Sequence, residues 1–150
     1  MAMEFSHLNE TGEARMVDIG HKVTISRRAV AEGDLVCAPA TILALRAMAL
    51  PKGDVLAVAR IAGIQAAKRT AELIPLCHAL PLDRVSLEFE VREDRVRVAC
   101  SVSTAARTGV EMEALTGAAV AALTLYDMMK AADKAMRVEN LHVVSKTKGQ

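Results

Sequence analysis

The stretch Gly109–Met136, GVEMEALTGAAVAALTLYDMMKAADKAM, constrains this chain more than any other. No charge falls between Ala114 and Tyr126, and Ala, Leu, Met and Val dominate, so the sequence predicts a helix. At about 100° per residue, Thr116, Val120, Thr124, Asp127, Lys130 and Lys134 share one sector. They form a narrow polar stripe whose charges crowd the C-terminal half. A helix this apolar elsewhere must be covered on most sides. Glu111 and Glu113 stand in its first turn. If the stripe lines a cleft, Asp127 and Lys130 sit one turn apart and can act on the same ligand.

Before this helix, Val85, Leu87, Phe89 and Val91 alternate with polar residues, Glu93-Asp94 turns, and Val96, Val98, Cys100 and Val102 alternate again. That pattern predicts an antiparallel hairpin with one apolar face. Upstream, residues 1–22 are polar and irregular and read as an arm. Val23–Val36 reads as a strand or two, broken at Glu32-Gly33-Asp34. Thr41–Leu50 is a short helix with Thr41 as its N-cap, ended by Pro51-Lys52-Gly53. Asp54 caps a second helix running to about Leu73, whose first half is apolar nearly all round and suggests burial against another subunit. Ile74–Leu82, with prolines at 75 and 81, is a structured loop holding Leu76, Cys77 and His78. A final strand spans Leu141–Ser145. The order strand, helix, strand, strand, helix, strand is the split βαβ pattern of an α+β, ferredoxin-like fold: an antiparallel sheet with helices on one face. At 150 residues, 1–150 is expected to be one domain.

Composition excludes several functions. A net charge of +1 gives no electrostatic basis for non-specific nucleic-acid binding, and Phe5, Phe89 and Tyr126 are too few for base stacking. No uncharged apolar run reaches the roughly 18 residues of a membrane span, and the N-terminus does not read as a signal peptide. Cys37, Cys77 and Cys100 lack CxxC spacing, which predicts reduced thiols in a cytoplasmic protein. His7, His21, His78 and His142 have no metal-site spacing, so no metal is expected.

Individual residues leave alternatives open. Lys52 precedes a helix start, a place suited to phosphate, or is a solvated turn lysine. His78 either binds phosphate or moves a proton, or is a loop histidine bonded to backbone. Glu111 and Glu113 either complement the helix dipole or accept from the edge of a guanine. Asp127 and Lys130 are either a structural ion pair or an acid/base pair. Cys77 has no assignable basic neighbour and is not read as a nucleophile.

Taken together, MVDIG at 16–20, KGDVLAVARIAGIQAAKRTAELIPLCHALPL at 52–82 and TGVEMEALTGAAVAALTLYDMMKAADKAM at 108–136 closely resemble the MoaC family over essentially the whole chain. The resemblance implies a ferredoxin-like domain assembled as a homohexamer, a trimer of dimers, with the active site at a subunit interface. It implies a lyase that converts 3′,8-cyclo-7,8-dihydro-GTP, made by a radical SAM GTP cyclase, into cyclic pyranopterin monophosphate with release of pyrophosphate, in molybdenum cofactor (molybdopterin) biosynthesis. By the family's motif, Asp127 and Lys130 match the catalytic pair and Lys52 a further active-site lysine. Leu76, Cys77, His78, Met112 and Glu113 match substrate-binding stretches, and Glu111 and Lys146 other active-site positions. Such a rearrangement calls for no redox cofactor. It needs a positioned acid and base, and cations for the triphosphate. A non-catalytic paralogue, a subunit that binds a guanine nucleotide or a partner enzyme and does no chemistry, is the alternative.

Overall fold

The computed structural model describes residues 3–48 and 54–149. Strand β1 spans Ile25–Val36, helices α1 Pro39–Arg46, α2 Val55–Lys68 and α3 Thr70–Leu73 follow, then β2 Arg84–Val91, β3 Arg95–Ala106, α4 Glu111–Met129 and β4 Arg137–Lys148. All pairings are antiparallel, in the order β2-β3-β1-β4, the ferredoxin-like arrangement expected. Alternation places Val96, Val98, Cys100 and Val102 of β3 toward the helices, each fully buried, with Ala29, Ala31 and Leu35 of β1 beside them. Helix α4 lies on β1 and β3, and α2 packs against α4 and β2. Among the described residues no helix is long and apolar enough to cross a membrane.

The small residues of α2 and α4 determine how closely these layers approach. A Cβ on Gly63 would stand 2.9 Å from the Gly117 carbonyl oxygen, and one on Gly117 would stand 2.5 Å from Cys100 Sγ. Helix against helix against strand leaves no room for a methyl group. Gly117→Ala is expected to destabilise the fold by about 1–3 kcal/mol, the usual cost of overpacking a tight core. Urea unfolding checks it; an unchanged midpoint would mean that the layers can separate freely.

Several boundaries differ from the sequence expectation. β1 is unbroken along its pairing with β3, and the expected break at Glu32-Gly33-Asp34 survives only as a register shift against β4. Gly33 is needed there because Leu141 Cδ1 would meet its Cβ at 3.3 Å. Thr41 is not an N-cap: Ala38 holds that position, Pro39 starts the helix, and the carboxylate of Asp133, far along the chain, supplies the cap. Asp133 Oδ2 accepts from Ala38 N and Thr41 Oγ1, each at 2.9 Å.

The same interaction explains why α4 stops at Met129 and does not run to Met136: residues after Lys130 turn so that Asp133 can reach α1, with Oδ1 taking Ala135 N at 3.0 Å. Lys134 therefore leaves the stripe. Asp54 does cap α2, accepting from Ala57 N, but α2 ends at Lys68, and a short turn of helix carries the chain to Leu73. At that break the Thr70 hydroxyl donates to the Ala66 and Ala67 carbonyls, at 3.3 and 2.9 Å, in competition with regular helix bonding. β4 is longer than Leu141–Ser145 because β1 offers pairing partners along nearly its full length. The expected stop at Pro51-Lys52-Gly53, and Leu50 before it, lie outside the described residues.

Candidate active site

The loop after α3 carries Leu76, Cys77 and His78. The Cys77 N–H donates to the Ile74 carbonyl at 3.1 Å, and His78 Nε2 donates to the Val17 carbonyl at 2.7 Å. A carbonyl only accepts, so the proton sits on Nε2. The ring is thereby tied to the N-terminal arm, and Nδ1 is left for other partners. Facing this loop is the first turn of α4. Leu76, Cys77, His78, Glu111, Met112 and Glu113 line one cavity of about 330 Å³, with Ser6, His7, Val17, Ile19 and Lys22 from the arm. Six of the expected site residues therefore meet in one cleft.

Its electrostatics are uneven. Glu113 is 5% exposed, and burial pushes its carboxyl up to about 7, with the nearby Glu111 adding to the rise. It is thus poised to gain or lose a proton near neutral pH. Burial, and then Glu113, raise the Cys77 thiol, so it stays protonated and does not serve as a nucleophile. Glu111 bends back over Gly109, where any Cβ would collide with its carboxylate, and Oε1 meets Lys146 Nζ at 3.2 Å.

Lys146 opens a second, smaller cavity of about 180 Å³, lined also by Arg27, Arg28, Thr147, Lys148 and Glu111. Four cations surround one carboxylate there, a field suited to phosphate. Sequence reasoning passed over Lys22, Arg27, Arg28 and Lys148. A usable signal existed for Arg27: in β1 the inward series Arg27, Ala29, Ala31 begins with a cation where alternation expects an apolar residue.

Asp127 and Lys130 do pair, with Nζ 2.8 Å from Oδ1, and that hydrogen bond raises the lysine further above its usual range. The pair is at the surface, however, with side chains 58% and 54% exposed. Among the described residues the expected stripe does not line either of the two cavities above. Thr116 is buried, the Thr124 hydroxyl donates to the Val120 carbonyl at 2.7 Å, and neither cavity above includes Asp127 or Lys130. From Glu113 to Asp127 the helix rises roughly 21 Å, at ~1.5 Å per residue. Lys52 lies outside the described residues. Among the described residues no group of three or more His, Cys, Asp and Glu is placed to hold a metal ion.

Comparison with known proteins identifies relatives over nearly the whole chain. The MoaC family model matches residues 16–149. A cyclic pyranopterin monophosphate synthase of Herpetosiphon aurantiacus is 55% identical over 96% of this chain and 89% of its own length. One of Desulfatibacillum aliphaticivorans is 51% identical over 98% of this chain and 94% of its own. A molybdenum cofactor biosynthesis bifunctional protein of Chlorobaculum tepidum is 52% identical over 99% of this chain, which spans 47% of that longer protein.

Proposed function

We propose that this chain, which belongs to the MoaC family, converts 3′,8-cyclo-7,8-dihydro-GTP into cyclic pyranopterin monophosphate with release of pyrophosphate, as a lyase of molybdenum cofactor biosynthesis. The observation that carries the reading is the cleft in which the carboxylates Glu111 and Glu113 stand across from His78 and Lys22. A guanine-derived ring offers N–H donors to the carboxylates. A triphosphate offers oxygens to the cations, with Lys146 and Lys52 as further candidates. Leu76, Cys77 and Met112 supply the apolar and backbone surface between them. Asp127 and Lys130 are the acid/base pair. A carboxyl near neutrality at Glu113 suits a rearrangement that moves protons among several nitrogens.

The roughly 21 Å of helix between Glu113 and Asp127 argues against one compact ligand ring touching both within a single chain. It is the physical argument for a site completed by a second copy; the homohexamer, a trimer of dimers, is what the family resemblance implies. Ile61 on α2 and Leu123 on α4, 59% and 57% exposed, provide apolar surface for such contacts. The radical SAM GTP cyclase would supply the substrate, in the cytoplasm. The test is to incubate purified protein with enzymatically made cyclised dihydro-GTP, oxidise, and read pterin fluorescence, with light scattering on the same sample. Product and a hexamer are expected. Verified substrate left unconverted would refute the chemistry, and a stable monomer at micromolar concentration would refute the shared site.

A further inference from the structure

Two imidazoles face the cleft, and the N-terminal arm holds both by the same device. His78 gives Nε2–H to the Val17 carbonyl. Two residues earlier, the Arg15 carbonyl takes Nδ1 of His7 at 3.2 Å, and the Arg15 N–H donates back to the His7 carbonyl at 2.6 Å. The bridge between Leu8 and Ala14 closes this small loop. Since a carbonyl only accepts, Nδ1 of His7 carries a proton and is committed to the arm. Its Nε2 is the remaining polar atom of a ring that lines the 330 Å³ cavity beside Lys22 and His78. The arm therefore lines the cleft with nitrogen groups, opposite the carboxylates of α4. No expectation from the sequence gave His7 a role.

We propose that His7 is a further ligand-contacting residue of this cleft, its imidazolium donating from Nε2 to a phosphate oxygen of the substrate while Nδ1 anchors the arm. The inference rests on the reading of the cleft given above. Lys22, which lines the same cavity, shares the ligand's negative charge. The Nδ1 bond preorganises the His7 ring, so less rotamer freedom is lost when the contact forms.

Two isosteric substitutions separate anchor from contact. The side-chain amide nitrogen of His7→Asn falls near the original Nδ1 and can still reach the Arg15 carbonyl, but nothing replaces Nε2. In His7→Gln the amide reaches the Nε2 position and the anchor is lost. Inorganic tripolyphosphate, which carries the phosphates without the ring, is titrated calorimetrically into wild type and both variants. Losing the Nε2 donor in His7→Asn should weaken binding by roughly tenfold or more, and His7→Gln, which keeps a donor at that position but neither the charge nor the anchor, should lose less than His7→Asn. Melting temperatures should be unchanged, because the ring is at the surface of the arm. Wild-type affinity in His7→Asn overturns the assignment, as does an equal loss in both variants. Tripolyphosphate that binds wild type while no pterin forms would instead defeat the proposed reaction and leave the His7 contact standing.

Discussion

Asp127→Asn and Lys130→Ala are each expected to lower the yield of cyclic pyranopterin monophosphate per unit time by roughly 10²–10⁴, the contribution of a general acid or base. Their melting temperatures should stay within about 2 °C of wild type. The structure sharpens this expectation. Both side chains are more than half exposed, so the 2.8 Å ion pair is solvated and screened and holds little of the fold together. The bland alternative, a buried structural pair, needs burial that is absent in the single chain. Exposure at the end of α4 instead puts both groups where a ligand presented by another copy can reach them. Melting temperature and product are to be measured on the same samples. A fall of 10 °C or more with activity retained in the folded fraction would make the pair structural and remove it from the mechanism. A further discrimination is available by mixing. If the cleft and the pair come from different copies, inactive Asp127→Asn and inactive His78→Ala chains, unfolded and refolded together, should regain part of the activity. No recovery in verified mixed oligomers would place the whole site within one chain.

Asp34→Ala should destabilise the protein toward the low end of roughly 3–5 kcal/mol, the cost of removing one partner from a buried ionic cluster. Asp34 lies on the sheet face away from the helices yet is fully buried, because Arg95, Arg97 and Asn140 close over it. Arg97 binds it with two nitrogens, at 2.9 and 3.1 Å. Without Asp34, Arg95 keeps Asp94 and Glu139, but Arg97 loses its only direct carboxylate among the described ion pairs. The hydrogen bonds from Arg97 hold the Asp34 carboxyl at about 2, against burial, which acts to raise it; Asn140 and Arg95 assist.

A carboxyl lowered on folding stabilises the native state above its unfolded value near 3.8 and loses that stabilisation as pH falls toward 2. The amount is about 2 kcal/mol, from ~1.4 kcal/mol per unit. Denaturant unfolding of wild type and Asp34→Asn at pH 6 and pH 2.5 isolates it: the gap between the two proteins should shrink at the lower pH. Parallel losses in both would remove Asp34 from the acid sensitivity of the fold.

Much of the architecture was legible in the sequence because the signals were local. The two-residue alternation of Val85–Val91 and Val96–Val102 leaves one way to bury both rows, and the uncharged run Ala114–Tyr126 has no stable state but a covered helix. Those elements, in that order, predict the split βαβ sheet. The motif residues 76–78 and 111–113 were also readable as one candidate site. Other features required the folded chain, since each depends on a partner distant in sequence. Asp133 ends α4 early because α1, more than ninety residues away, offers it an unsatisfied helix start. Asp34 becomes fully buried only when β3 and β4 bring cations and an amide to its side. His7 and Lys22 line the cleft only because the arm folds back onto His78. The helical wheel assigned Asp127 and Lys130 correctly to one side of α4, but a wheel carries no information on what lies opposite. Roughly 21 Å of helix separates that pair from Glu113, so it was the folded chain that set the pair apart from the cleft.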